Sequence, residues 1–214
     1  MVLKLYYIRH AQCAMNLEVS QTIGGRTNDS PLTRLGEEQS DLLGQRFALE
    51  GIHFDEVYSS PAVRARKTAE KSTRFVEFPS NRITLVDALQ ELDQGEWEGR
   101  SRPEVYSPEM LAHINSDNWN FCPPGGESQK QVERRQMDWV QDLLTRSRKD
   151  LTVCIYGHGV ALSCFLRGVL GFYPSLTYKI RHWNTGVTRL DYAENGWHVL
   201  CVNDSAHLPL AKKS

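Results

Sequence analysis

Short β-favouring runs at 3–8, 54–59, 82–86, 151–156, 185–192 and 197–203 predict six strands. Between the first two, Leu35, Leu42, Leu43 and Phe47 share one helical face, with Thr33 placed to cap the start and Gly51 to close the end. A second helix is expected from Ser60-Pro61, read as N-cap and first helical residue, to about Phe75. A third spans about 127–148 and carries Val132, Met137, Val140, Leu143 and Leu144 near helical spacing. The fourth, 159–170, is apolar almost all round and should be buried. Strands and helices alternate, so the expected fold is α/β: three α/β/α layers around a mostly parallel sheet. The last two runs, joined through Asn195-Gly196, read as a hairpin and add one antiparallel edge strand. Residues 88–126 have weak periodicity and turn-rich composition, and are expected to form an irregular insertion over the active site. No repeat or linker divides the chain, which is read as a single domain over 1–214.

Bulk composition narrows the function classes. With 25 Lys and Arg against 26 Asp and Glu, the net charge is -1, so no global field gathers nucleic acid or anionic membrane. No run approaches the ~20 apolar residues of a membrane helix, and the N-terminal residues lack the basic-then-apolar layout of a signal peptide. The five cysteines show no C-x-x-C pair and three lie in apolar runs, the usage of a reduced compartment. A cytoplasmic protein is expected.

Chemistry is concentrated where predicted strands end. The first ends in Arg9-His10 and the fourth in His158, while Arg64 falls in the opening turn of the helix after the second. In open α/β sheets, ligands bind at the carboxyl ends of the strands. Cations crowded at a helix N-terminus oppose its dipole unless an anion sits among them. Arg66 and Lys67, in the same turn, are read as solvated. A phosphate held by two guanidinium groups and two imidazoles suits in-line attack by a neutral imidazole nitrogen, giving a phosphohistidine. The guanidinium groups disfavour imidazole protonation and stabilise the equatorial oxygens. The leaving alkoxide needs a proton, and a carboxyl facing a phosphate dianion can hold one through like-charge repulsion. Glu91, after the third predicted strand, is best placed; Asp93, Glu96 and Glu98 remain competitors.

Read together, these segments resemble the histidine phosphatase superfamily, also called phosphoglycerate mutase-like. Ile8-Arg9-His10-Ala11-Gln12-Cys13-Ala14-Met15-Asn16 is similar to the family's opening Leu-x-Arg-His-Gly-x-Thr/Ser-x-x-Asn. Asp29-Ser30-Pro31-Leu32-Thr33-Arg34-Leu35-Gly36, Ser59-Ser60-Pro61-Ala62-Val63-Arg64-Ala65, Glu91 through Gly99, Gly125-Gly126-Glu127-Ser128 and Gly157-His158-Gly159 follow in the family's order. The resemblance implies His10 as the phosphorylated nucleophile and Glu91 as proton donor, then base. It implies Arg9, Arg64 and His158 on the phosphoryl group, assisted by Asn16 and the Gly159 N–H. Two departures stand out. Ala11 replaces glycine, and Cys13 stands where Thr or Ser would touch substrate, putting a weaker donor there.

The expected function is metal-independent hydrolysis of a small phosphorylated metabolite, without cofactor. A metal pair at the histidines is disfavoured because Arg9 would repel a divalent cation. The alternatives are a cofactor-primed phosphoglycerate mutase or a non-catalytic phosphate-binding module. Mutases of the family carry E-R-H-Y-G around the acid and an Arg-Arg pair for the substrate carboxylate. Here the stretch is Glu91-Leu92-Asp93-Gln94-Gly95, and the adjacent Arg134-Arg135 fall in the third helix, which favours hydrolysis. Specificity is expected from 12–26 and 88–126, with Cys13 and Arg26 as candidates and Arg100 and Arg102 read mainly as surface charges. His53, His113, His182 and His198 are assigned packing or surface roles. Trp97 is read as a packing residue, and His207 as a residue near the site mouth without a catalytic role.

Overall fold

A computed structural model describes every residue except Val19, Ser20 and Asn28; the first two lie inside the 12–26 stretch expected to choose the substrate. Six strands form one sheet in the order β3-β2-β4-β1-β5-β6: β1 Leu3–Arg9, β2 Glu56–Ser59, β3 Thr84–Leu85, β4 Leu151–Gly157, β5 Val187–Ala193 and β6 Gly196–Asp204. β1 pairs in parallel with β4, β4 with β2, and β2 with β3. Both β1–β5 and β5–β6 are antiparallel. The expected antiparallel edge is therefore the β5–β6 hairpin, closed through Gly196 at φ 90°, and β5 is the strand that runs against the rest.

Side-chain alternation along the central strands builds the two cores. Leu3, Leu5 and Tyr7 of β1, with Val153 and Ile155 of β4, pack against α6 (Gln129–Arg146) and α7 (Gly159–Leu170). Tyr6 and Ile8, with Cys154 and Tyr156, face α2 (Arg34–Leu49) and α3 (Val63–Thr73) through Leu43, Phe47, Ala65 and Ala69. Those are the three layers the sequence predicts, and α7 is buried along most of its length, as its all-round apolarity requires.

Local signals explain most boundaries. Thr33 caps α2 by accepting from the Gly36 N–H at 3.0 Å, and Gly51 follows the helix at φ 62°. Ser128 and Gln131 form a reciprocal capping box at the start of α6. The second predicted helix starts later than expected. Its cap position is Ala62 and it begins at Val63; the Ser60 hydroxyl is shared between the Ala62 N–H at 3.3 Å and His158 at 2.8 Å. The strand expected over 82–86 shrinks to Thr84–Leu85, preceded by a 3-10 turn at Ser80–Arg82.

The 88–126 insertion is more regular than its weak periodicity suggests. It holds α4 (Arg102–Val105) and α5 (Pro108–Ser116), the latter capped by Ser107. It packs its own small cluster of Trp97, Val105, Tyr106, Met110, Ile114 and Phe121 onto Ile23. A further short helix, α1 (Ala14–Glu18), follows directly on the residues after β1. Arg167, fully buried in α7, bonds Glu133, Gln129 and Thr177 and lies 3.9 Å from the centre of the Trp119 ring, joining two helices to the insertion.

Candidate active site

The carboxyl ends of β1, β2 and β4 converge on one cavity of about 770 Å³. Arg9, His10, Cys13, Asn16, Arg64, Glu91 and Gly159 line it together. His10 leaves β1 with its N–H bonded to the Gly157 carbonyl at 2.9 Å, and its own carbonyl accepts from Asn184 at 2.7 Å. The ring is buried, with Nδ1 2.8 Å from the Ala11 carbonyl oxygen. A carbonyl can only accept, so Nδ1 carries the proton and Nε2 keeps its lone pair. Burial first, then the Arg64 and Arg9 guanidinium groups, hold this imidazole well below its ordinary value and therefore neutral. That is the state an attacking nitrogen needs.

His158 comes from the end of β4, and its ring centre lies 5.2 Å from that of His10. Nε2 is 2.8 Å from the Ser60 hydroxyl, while Nδ1, among the described residues, has no partner. Burial, and then Arg64 foremost among its charged neighbours, also depresses His158 well below the usual range. Arg64, buried in the first turn of α3, donates to the carbonyls of Gly25 (3.0 Å) and Thr27. Arg9 donates to the His182 carbonyl and leaves a buried Nε that, among the described residues, has no partner. A Cβ on Gly159 would lie 3.6 Å from that Nε. The floor thus presents cationic and N–H groups that the protein itself does not fully satisfy, as an anion site requires.

Asn16 Oδ1 accepts from the Cys13 backbone N–H at 3.0 Å and from Asn184 at 3.3 Å, which directs its amide nitrogen elsewhere. Cys13 is buried, and its Sγ lies 3.4 Å from the same oxygen. Glu91 is held at the start of α7. Its carboxylate accepts from the N–H groups of Leu92 (2.9 Å), Ala161 (2.8 Å) and Val160 (3.1 Å), a favourable place for negative charge. The competing carboxylates are engaged otherwise. Asp93 accepts from the Gly95 N–H at 2.7 Å, and Glu98 accepts from the Arg26 N–H and from Thr27 and Gln94. Neither they nor Glu96 line the cavity.

Arg26 does not reach the cavity as a free specificity residue. It pairs with Glu127 at 2.7 Å and Asp93 at 3.7 Å, tying the 21–27 loop to the acid segment. Arg66 and Lys67 pair with Glu70 on the outer face of α3, in keeping with a solvated role. His207 bonds Thr185, whose N–H meets the Arg9 carbonyl, and so lies behind the floor rather than at the mouth.

The sequence profile of the histidine phosphatase superfamily (branch 1) matches residues 5–205. The chain belongs to that superfamily. It is 29% identical to a probable phosphoglycerate mutase, GpmB, of Yersinia enterocolitica, over 98% of this chain and 96% of that one. Among solved structures, Bacillus stearothermophilus YhfR superposes with a TM-score of 0.82 at 27% identity, covering 96% of this chain and 98% of the other. A phosphoserine phosphatase of Entamoeba histolytica, solved with 3-phosphoglyceric acid, superposes at 0.81 with 26% identity over 97% and 100%.

Within this family framework, two residues belong to the site that sequence reasoning did not place there. Arg135, on α6, donates to the carbonyls of Ala88 (2.6 Å), Gln90 (2.8 Å) and Glu91 (2.9 Å), and grips Glu127 with two bonds of 3.1 Å. It fixes the backbone that presents Glu91. His182, read as a packing residue, lines the cavity with Nε2 3.0 Å from the Ser163 hydroxyl; burial, then Arg9, pushes it down to about 4. The adjacency of Arg134 and Arg135 was visible, but only the fold shows that Arg134 faces solvent while its neighbour reaches inward.

Proposed function

We propose that the protein hydrolyses phosphate monoesters through a covalent phosphohistidine at His10, without a metal ion. The observation that carries this reading is the neutral, oriented His10: Nδ1 is committed to the Ala11 carbonyl, and Nε2 keeps its lone pair in the cavity lined by Arg9 and Arg64, with the buried His158 ring centre 5.2 Å from that of His10. Nε2 attacks phosphorus, the bond from phosphorus to the ester oxygen breaks, and its electron pair leaves with that oxygen. Glu91, protonated when the bound phosphate dianion faces it, transfers that proton to the departing oxygen. Water then attacks the phosphohistidine, Glu91 takes the water proton, and His10 departs neutral with inorganic phosphate released. Arg9 and Arg64 stabilise the equatorial oxygens throughout, joined by His158 through Nδ1–H in the tautomer whose Nε2 accepts from the Ser60 hydroxyl. The two guanidinium groups supply the positive charge that a divalent cation would otherwise bring, and would repel such an ion.

The phosphoserine phosphatase similarity supports hydrolysis, while the probable mutases among the relatives support phosphoryl transfer. Placement of the Arg134-Arg135 pair outside the cavity favours the first, because it removes the expected grip on a substrate carboxylate. Phosphate monoesters assayed with chelator present, with and without 2,3-bisphosphoglycerate, separate the two. Hydrolysis predicts phosphate release without the primer; interconversion of phosphoglycerates only with the primer would establish the mutase instead.

A further inference from the structure

We infer that His207 is a positioning residue for the nucleophile: acting through Thr185, it fixes the turn that grips the Arg9–His10 backbone at the cavity floor. Its kinetic consequence rests on the phosphatase reading of that floor. Residues 182–186, on the approach to β5, make the grip. The His182 carbonyl accepts from the Arg9 guanidinium, and Asn184 Nδ2 donates to the His10 carbonyl at 2.7 Å. The Thr185 N–H donates to the Arg9 carbonyl at 3.0 Å, and the Gly186 carbonyl accepts from the Arg9 N–H at 3.4 Å. Asn184 Nδ2 also lies 3.3 Å from Asn16 Oδ1, so the same turn orients a second group of the floor. All of this depends on Thr185, which sits at φ 58°. A β-branched residue is rare in that left-handed region and stays there only where its surroundings hold it.

The holding segment is Asn203-Asp204-Ser205-Ala206-His207, at the end of β6. Asn203 Oδ1 accepts from the Trp183 N–H at 2.7 Å, and a Cβ on Gly186 would lie 2.3 Å from that oxygen, so the turn is pressed against it. Asp204 Oδ1 accepts from the Ala206 N–H at 2.9 Å, a local turn that brings the chain back. His207 then lands on the turn, with Nε2 3.0 Å from the Thr185 hydroxyl. That hydroxyl gives its one proton to the Asn184 carbonyl at 2.7 Å, so it accepts from His207, whose Nε2 carries the hydrogen. Thr185 is fully buried, which leaves its oxygen no bulk water as a second donor. His207 itself does not line the cavity, so it acts on the floor through Thr185 rather than on a substrate.

Two readouts test this on the full chain: steady-state phosphate release from a monoester, and deuterium uptake of peptides covering 7–10 and 183–186. His207→Leu removes the donor, whereas His207→Gln can place an amide N–H where Nε2–H stands. His207→Leu should lower kcat by about 10- to 100-fold through misplacement of His10, with KM moving far less, and should raise uptake in both peptides. His207→Gln should restore most of both. Thr185→Gly, whose glycine holds a positive φ unaided, should make His207 dispensable: adding His207→Leu there should change kcat by no more than about twofold. If His207→Leu does not fold, Thr185→Val, which removes the acceptor, should show the same losses. Unchanged kcat or unchanged uptake in His207→Leu, a loss equally deep in His207→Gln, or a full further loss on Thr185→Gly overturns the inference. Wild-type protein that hydrolyses no ester, with uptake behaving as expected, removes the hydrolase and keeps the grip.

Discussion

At the level of single residues, the proposed hydrolysis divides the site into groups that would act on the phosphate ester and groups that aim them. Glu91 belongs to the first set, and Glu91→Gln should lower kcat by about 10²–10⁴, the usual contribution of a positioned acid-base group. A wild-type kcat in Glu91→Gln would transfer the role to another residue. Arg135 belongs to the second set, since it does not line the cavity and instead bonds the carbonyls of Ala88, Gln90 and Glu91 and the Glu127 carboxylate. Arg135→Met should reduce kcat by roughly 10²-fold through a small misplacement of Glu91, and Arg135→Lys should recover little because one ammonium cannot reproduce the fork. Inhibition by inorganic phosphate should stay unchanged in both variants; weaker inhibition would mean that Arg135 shapes the floor as well. Residues such as Arg9, His10, Arg64 and His158 were legible in sequence because each ends a strand or opens a helix. Arg135 was not, because its role consists of contacts to backbone more than forty residues away, which no local pattern records.

Among the secondary-structure elements, α2 and the turn after β1 must approach closely for His10 to be held. A Cβ on Gly36 would lie 1.9 Å from the Gln12 carbonyl oxygen, so this helix enters the site region only because its first turn carries glycine there. Gly36→Ala should cost about 3 kcal/mol of stability by overpacking against backbone and lower activity by shifting the turn. An unaltered denaturation midpoint would show that the helix can move away freely. Two of the elements whose reading from sequence was off were shaped by tertiary contacts. The expected cap Ser60 meets His158 as well as the Ala62 N–H, and α3 starts two residues later than expected, while α5 is a nine-residue helix whose Met110 and Ile114 reveal their face only when packed on Trp97. Longer elements with strong periodicity, such as α2, α6 and α7, were readable because their own apolar stripes make the layers.

For the whole molecule, the parallel strands bring three distant segments to one edge, and burial then sets the charge state of the imidazoles gathered there and behind it. His182 and His207 are pushed down to about 4 by burial, with Arg9 and Arg46 respectively adding to it, and His10 and His158 are held well below 6.5. The unfolded chain, with its histidines near 6.5, therefore takes up protons before the folded one does. Stability should be full above about pH 6.5 and fall as pH drops from there toward 4, by about 1.4 kcal/mol per pH unit for each such histidine. Denaturant midpoints across that range check it, and His182→Gln should flatten the slope; a midpoint constant from pH 7 to pH 5 would contradict the buried neutral state. Chemistry follows from the same neutrality, since only an unprotonated His10 can attack phosphorus. The most direct test is rapid quenching of turnover into alkali, followed by intact-mass and fragment analysis. One added phosphoryl group on His10, stable in base, lost in acid and absent from His10→Ala, is the predicted result. Steady phosphate release with no such adduct, or undiminished release by His10→Ala, would contradict it.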